Sequence, residues 1–161
     1  MFSDMKDYSK KMNRDEKLAL ELLKIHNRFM EESIRIFDGK VIEIIGDAFL
    51  ASFESATNAL KCSVDIQEKF GEYNIDKSKK EKIKVRIGIH IGDIIEFEGK
   101  LKGNALNIAA RIQQIAEPGS IYMSDSFYLT VKGKTDKEFK SLGSYELKNI
   151  KEPIEIYEVV I

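Results

Sequence analysis

Asp4 and Asp47 are the residues of this sequence best suited to chemistry. Each stands where a strand would give way to a turn, in Phe2-Ser3-Asp4-Met5 and in Ile45-Gly46-Asp47-Ala48. Carboxylates from two neighbouring strand ends can share a pair of hard cations, each of which keeps positions free for triphosphate oxygens. The plain reading of Asp47 is a hairpin turn, where aspartate after glycine is common. A second feature is Asn107-Ile108-Ala109-Ala110-Arg111. Residues four apart share a helical face, so Asn107 and Arg111 stand together while Ile108 and Ala109 lie on or near the buried side. Two solvated polar residues would look the same, yet asparagine is mildly unfavourable inside a helix, which weighs toward a role. His26 reads as a packed or surface histidine and His90 as structural rather than a ligand, and no other histidine or cysteine cluster supports zinc.

These side chains need elements to position them. Leu18, Leu22, Ile25, Phe29 and Ile36 recur at helical spacing, which predicts one long amphipathic helix from Asp15 to Phe37, ended by Asp38-Gly39. Val41 to Ile45, the turn Gly46-Asp47 and Ala48 to Phe53 read as a hairpin. Ser55 to Phe70 returns to the helical period, and Gly71 to Lys82 is a charged, solvated loop. From Lys82 to Ile91, isoleucine and valine alternate strictly with Lys84, Arg86, Gly88 and His90, the pattern of a strand with one buried face. Gly92-Asp93 is expected to turn that strand back into Ile94 to Phe97. Asn104 is expected to cap a helix through Ala116, which Pro118-Gly119 breaks. A short strand at Ile121 to Met123, a short helix from Asp125 to Val131 and two strands around Lys148 complete the order. That order predicts one α+β domain over residues 1–161, a ferredoxin-like split-βαβ sandwich with helices packed on one face of a mostly antiparallel sheet.

Composition narrows the function classes. A net charge of −1 leaves no broad electrostatic footprint for nucleic acid or an anionic membrane. No apolar run approaches the roughly 20 residues a membrane helix needs, and the start turns polar at once. The lone Cys62 fits a reducing compartment. The segment is therefore expected in the cytoplasm, alone or as part of a longer protein, without membrane contact.

In order along nearly the whole chain, five motifs resemble the catalytic domains of class III adenylate and guanylate cyclases of the bacterial branch. They are Phe2-Ser3-Asp4, Ile45-Gly46-Asp47-Ala48-Phe49, Arg86-Ile87-Gly88-Ile89-His90-Ile91-Gly92, Asn107 to Arg111, and Leu147-Lys148. Glu117-Pro118-Gly119 and Pro153 to Tyr157 agree with them. The resemblance implies that a purine nucleoside triphosphate is closed to its 3′,5′-cyclic monophosphate. It implies two magnesium ions on Asp4 and Asp47, with manganese able to substitute. Asn107 would orient the ribose and Arg111 would neutralise charge developing on the α-phosphoryl group. Lys148 would hold the departing pyrophosphate, a task for which Lys151 competes. It also implies a homodimer in which each site takes its metal aspartates from one subunit and its other groups from the partner.

Two positions would read the base, and here they are Glu43 and Lys100. A carboxylate accepts from guanine N1–H and N2–H, and an ammonium donates to O6, so GTP is slightly favoured over ATP. Two departures from the family stand out: its first strand begins several residues before the phenylalanine, and its phosphate loop usually has glycine where Asp7 stands. Both favour an alternative, a degenerate cyclase-homology domain that binds nucleotide or dimerises as a regulatory module. A single-stranded RNA-binding sheet is disfavoured, because the strand at Lys82 to Ile91 presents no outward aromatic. Gly46-Asp47-Ala48-Phe49 is not the turn of a diguanylate cyclase.

Overall fold

The computed structural model describes residues 1–98 and 100–161, and the side chain of Lys100 lies outside the described residues. Strand β1 (Phe2–Met5) leads through α1 (Tyr8–Arg14) into the long helix α2 (Glu16–Ile36). The hairpin β2 (Lys40–Ile45) and β3 (Ala48–Ser52) follows, then α3 (Ala56–Asn74) and β4 (Val85–Ile89). A small hairpin, β5 (Ile95–Phe97) and β6 (Lys100–Lys102), precedes α4 (Asn104–Ile115). The order closes with β7 (Ile121–Ser124), α5 (Asp125–Val131), β8 (Glu138–Tyr145) and β9 (Ile154–Val160).

Side-chain caps fix the starts of α2 and α3. Asp15 accepts from the Leu18 amide at the head of α2, and Ser55 accepts from the Asn58 amide at the head of α3. At the other end of α2, Asp38 takes a φ of 56° and the Gly39 amide returns to the Ile34 carbonyl.

Seven strands form one sheet in the order β2-β3-β1-β4-β7-β9-β8, with β5-β6 as a separate pair. Within the large sheet only β4 and β7 run parallel; the other neighbouring pairs are antiparallel. The short β1 is central, paired on one side with β3 and on the other with β4.

Alternation along these strands divides the sheet into two faces. Met1, Met5, Phe49, Ile87, Ile89 and Met123 join Leu22, Met30, Leu60 and Phe70 in the main apolar core, under α2, α3 and α5. His26 is fully buried there between the rings of Phe49 and Phe70, at 5.6 and 5.7 Å. Cys62 is buried in the same layer, which pushes its thiol up to about 12 and leaves it unreactive.

The expected sandwich is present, and the structure refines it in four places. Helix α4 lies across the opposite face, so the helices do not all share one side. Gly88 permits this: a Cβ there would stand 2.3 Å from the Gln113 amide nitrogen and 2.5 Å from the Ala109 carbonyl oxygen. An outward glycine in an alternating strand marks close approach of another backbone rather than solvent. Secondly, Ile94 to Phe97 does not fold back on β4; residues 95–97 pair with β6 instead. Ile91, expected on the buried face, lies beyond the end of β4 and is exposed. Gly103, not Asn104, occupies the cap of α4, and no side chain caps it.

Candidate active site

Asp4 and Asp47 meet at the end of β1. The turn between β2 and β3 is two residues long, and Gly46 takes a φ of 63° at its first position, as such hairpins require. That turn carries Asp47 to the strand end, where its Oδ2 accepts from the Met5 amide at 2.9 Å. Met5 follows Asp4 directly, so the two carboxylates are neighbours although 43 positions separate them. Burial raises the Asp47 carboxyl above its usual range, and the charge of Asp4 adds to the rise against the Met5 hydrogen bond.

Arg86 joins this pair, although spacing alone did not single it out. It is paired with Asp4 across β1 and β4, and donates from Nε and Nη2 to the two carboxylate oxygens at 2.8 and 2.5 Å. The same guanidinium reaches the Gln114 carbonyl at 3.3 Å, one of the free acceptors in the last turn of α4. A bidentate arginine beside two close carboxylates offsets their mutual repulsion. Its one sequence signal is the Arg-x-Gly-x-His motif; nothing in the local pattern pairs it with a residue 82 positions away.

Asn107 and Arg111 stand exposed and half-exposed on α4, as their spacing predicts. Arg111 Nη1 donates to Gln114 Oε1 at 2.8 Å. Lys148 is exposed at the tip of a turn closed by the Ile150 amide on the Leu147 carbonyl. One apolar cluster underlies all three, since Ile108, Ile112 and Leu147 pack together with Tyr122 and Ile156. Among the described residues no hydrogen bond or ion pair joins Asn107, Arg111 or Lys148 to Asp4 or Asp47. The site residues thus fall into two groups: a carboxylate pair with Arg86, and a polar trio anchored on α4 and the β8–β9 turn.

Glu43 reaches its face through a bulge. Val41 pairs with Ala51, but Glu43 pairs with Leu50, which leaves Ile42 as the extra residue. Leu50 also pairs with Phe2, two positions from Asp4, so Glu43 shares the face of Asp4 and is exposed there. Lys100 lies opposite Phe97 in the β5–β6 pair, and its side chain falls outside the described residues.

The remaining singled-out residues are structural in their contacts. His90 Nδ1 hydrogen-bonds Ser124 Oγ at 2.7 Å, and burial lowers its basicity. Asp7 takes a φ of 59°, a conformation glycine adopts without strain, and its carboxylate pairs with Lys10 at 2.8 Å. That pairing holds the Asp7 carboxyl below its usual range.

The family model of the adenylate and guanylate cyclase catalytic domain matches residues 1–160. The chain belongs to this family. A solved adenylate/guanylate cyclase/hydrolase from Silicibacter pomeroyi shares 36% identity and superposes with a TM-score of 0.87, over 99% of this chain and 93% of that one. A Rhizobium meliloti protein bearing an adenylate cyclase name is 36% identical over 156 residues, which cover 96% of this chain. The cyclase domain spans 27% of that relative's length. The guanylate cyclase domain of RhGC from Catenaria anguillulae, solved with GTP, shares the fold with a TM-score of 0.80 at 24% identity, over 99% of this chain and 93% of that one. No helix among the described residues is long and apolar enough to cross a membrane.

Proposed function

We propose that this cyclase domain converts a purine nucleoside triphosphate, GTP in preference to ATP, to its 3′,5′-cyclic monophosphate and pyrophosphate at sites shared across a homodimer. The observation that carries the reading is the meeting of Asp4 and Asp47 at the end of β1. Their oxygen-only donor set suits hard divalent cations. Among the described residues no third acidic, histidine or cysteine side chain joins them, which leaves room for triphosphate oxygens. Two magnesium ions held there would lower the barrier for attack of the ribose 3′-hydroxyl on the α-phosphorus.

The reaction forms the O3′–Pα bond, breaks the bond from Pα to the β-phosphate oxygen, and releases the hydroxyl proton. Asn107 fixes the ribose so that the 3′-oxygen lies in line with the leaving group. Arg111 neutralises the charge that grows on the α-phosphoryl oxygens. Lys148, with Lys151 close by in sequence, holds the pyrophosphate. Glu43 and Lys100 read the guanine edge.

Sharing between subunits is supported by the resemblance to the family and by the lack, among the described residues, of any direct hydrogen bond or ion pair from Asn107, Arg111 or Lys148 to the two aspartates. It is supported too by Ile44, Ile45, Ile94, Ile95 and Phe97, large apolar side chains exposed on the β2–β3 tip and in and beside β5. A second reading, a nucleotide-binding or dimerising module without turnover, is favoured by one feature: the ionised Asp7 stands where a phosphate loop usually carries glycine. The test is an assay of purified protein with magnesium or manganese and each of GTP, ATP, CTP and UTP, following cyclic product and pyrophosphate. Cyclic GMP is the expected main product. No cyclic product from any triphosphate with either metal would remove the proposal in favour of the second reading.

A further inference from the structure

We infer that Gln114 is a positioning residue for Arg111, holding its guanidinium in place on α4 without neutralising its charge. The inference rests on the reading of Arg111 as the group that meets the α-phosphoryl. Arginine has a long side chain with large rotamer freedom, and Arg111 is half-exposed on a helix surface. Gln114 lies three residues on and therefore on the same face. Its Oε1 takes one N–H of Arg111 at 2.8 Å. A guanidinium has five N–H donors, so four remain for phosphoryl oxygens.

The chemistry of the acceptor matters. Arg86, the other guanidinium of the region, is clamped by the Asp4 carboxylate and its charge is offset. Arg111 is held by a neutral amide, so its full charge remains available to the substrate. The backbone of Gln114 is itself fixed, because its carbonyl accepts from Arg86 Nη1 at 3.3 Å. One residue thus ties the orientation of Arg111 to the end of α4 that contacts the Asp4–Arg86 pair. Three-apart polar pairs also occur on helix surfaces with no role beyond a small gain in helix stability. The two readings differ in kinetics, not in fold.

The experiment compares steady-state kinetics of the full chain with GTP for wild type, Gln114→Ala, Gln114→Glu, Arg111→Ala and the double variant Gln114→Ala/Arg111→Ala. Gln114→Ala is expected to lower kcat about five- to tenfold with KM within about twofold, the signature of a misplaced catalytic group. Its melting temperature should not change, because Gln114 is exposed. Gln114→Glu keeps an acceptor but adds a negative charge, so its kcat/KM should fall below that of Gln114→Ala. In the Arg111→Ala background, measured with manganese at high enzyme concentration, Gln114→Ala should have no further effect, since it acts through Arg111. A wild-type kcat in Gln114→Ala, or an undiminished effect in the Arg111→Ala background, would overturn the inference. Full activity in Arg111→Ala would instead overturn the assignment of Arg111 on which it rests.

Discussion

Along β1, β3 and β4, successive side chains go to two different environments. On the face under α2, α3 and α5, Met5, Phe49, Ile87 and Ile89 end in a closed apolar layer. On the other face the intervening residues are Asp4, Leu50, Arg86 and Gly88, and α4 covers part of them. Along these three strands the main core and the proposed chemistry thus sit on opposite sides, one residue apart. Substitutions on the two faces should therefore fail in different ways.

The sharpest division is expected at the site itself. Asp47→Ala and Arg111→Ala should each lose activity by a factor on the order of 10²–10³ while remaining folded, since neither side chain supports the main core. Equal mixing with subunit exchange should recover about a quarter of wild-type activity, because half the dimers are mixed and each has one intact site of two. Circular dichroism and product formation together check this. Exchange without recovery would place both residues in the same site.

The mirror experiment is on the covered face. Met30 on α2 is fully buried, and Met30→Ala should cost roughly 2–5 kcal/mol of stability. The folded fraction should keep its kcat below the new melting temperature. A loss of kcat in fully folded protein would show that the two faces are coupled.

What the sequence revealed follows the same division. The covered face was legible as elements, since the helical repeat from Leu18 to Ile36 and the isoleucine alternation before Ile91 both gave elements close to those observed. The stripe that α2 buries nevertheless runs through Ala19, Leu22, His26, Met30 and Ile34, and Ile36 is exposed. The open face was legible only as motifs. Strict alternation from Val41 would place Glu43 inward with the core, and the bulge at Ile42 that turns it outward has no hydrophobic signature. Gly88 reads as solvent-facing, because a glycine carries no hydrophobic signal for the helix backbone that covers it. Helix α1 has no buried residue and hence no apolar stripe to find. The Asp4–Arg86 pair joins positions 82 apart, which no local pattern can show.

Base choice tests whether the bulge serves function. With Glu43 turned to the open face, GTP should exceed ATP in kcat/KM by about ten- to a hundredfold, the range for one well-placed pair of hydrogen bonds. Glu43→Ala should bring the two substrates within a few-fold of each other. An ATP preference in the wild type would remove Glu43 as a guanine reader and leave the cyclase proposal standing.

The smallest expected effect joins the two faces through one side chain. Burial raises the Asp47 carboxyl in the folded chain above its ordinary value of 3.8, with the nearby charge of Asp4 acting in the same direction. A carboxyl raised on folding binds its proton more tightly in the native state. Its contribution to stability is therefore fully present below pH 3.8 and is lost as the pH rises through the raised value. At pH 7 the native protein holds a carboxylate that would be better solvated unfolded. Asp47→Asn keeps an oxygen for the Met5 amide and removes the charge, so it should melt above wild type at pH 7 in metal-free buffer. The difference should shrink as the pH falls and vanish once Asp47 is protonated in both states. Divalent metal should stabilise wild type and not the variant, which narrows or reverses the gap in magnesium. Equal melting temperatures at pH 7 without metal would mean that Asp47 pays nothing in stability for its place beside Asp4, and would undercut the view that the open face trades stability for chemistry.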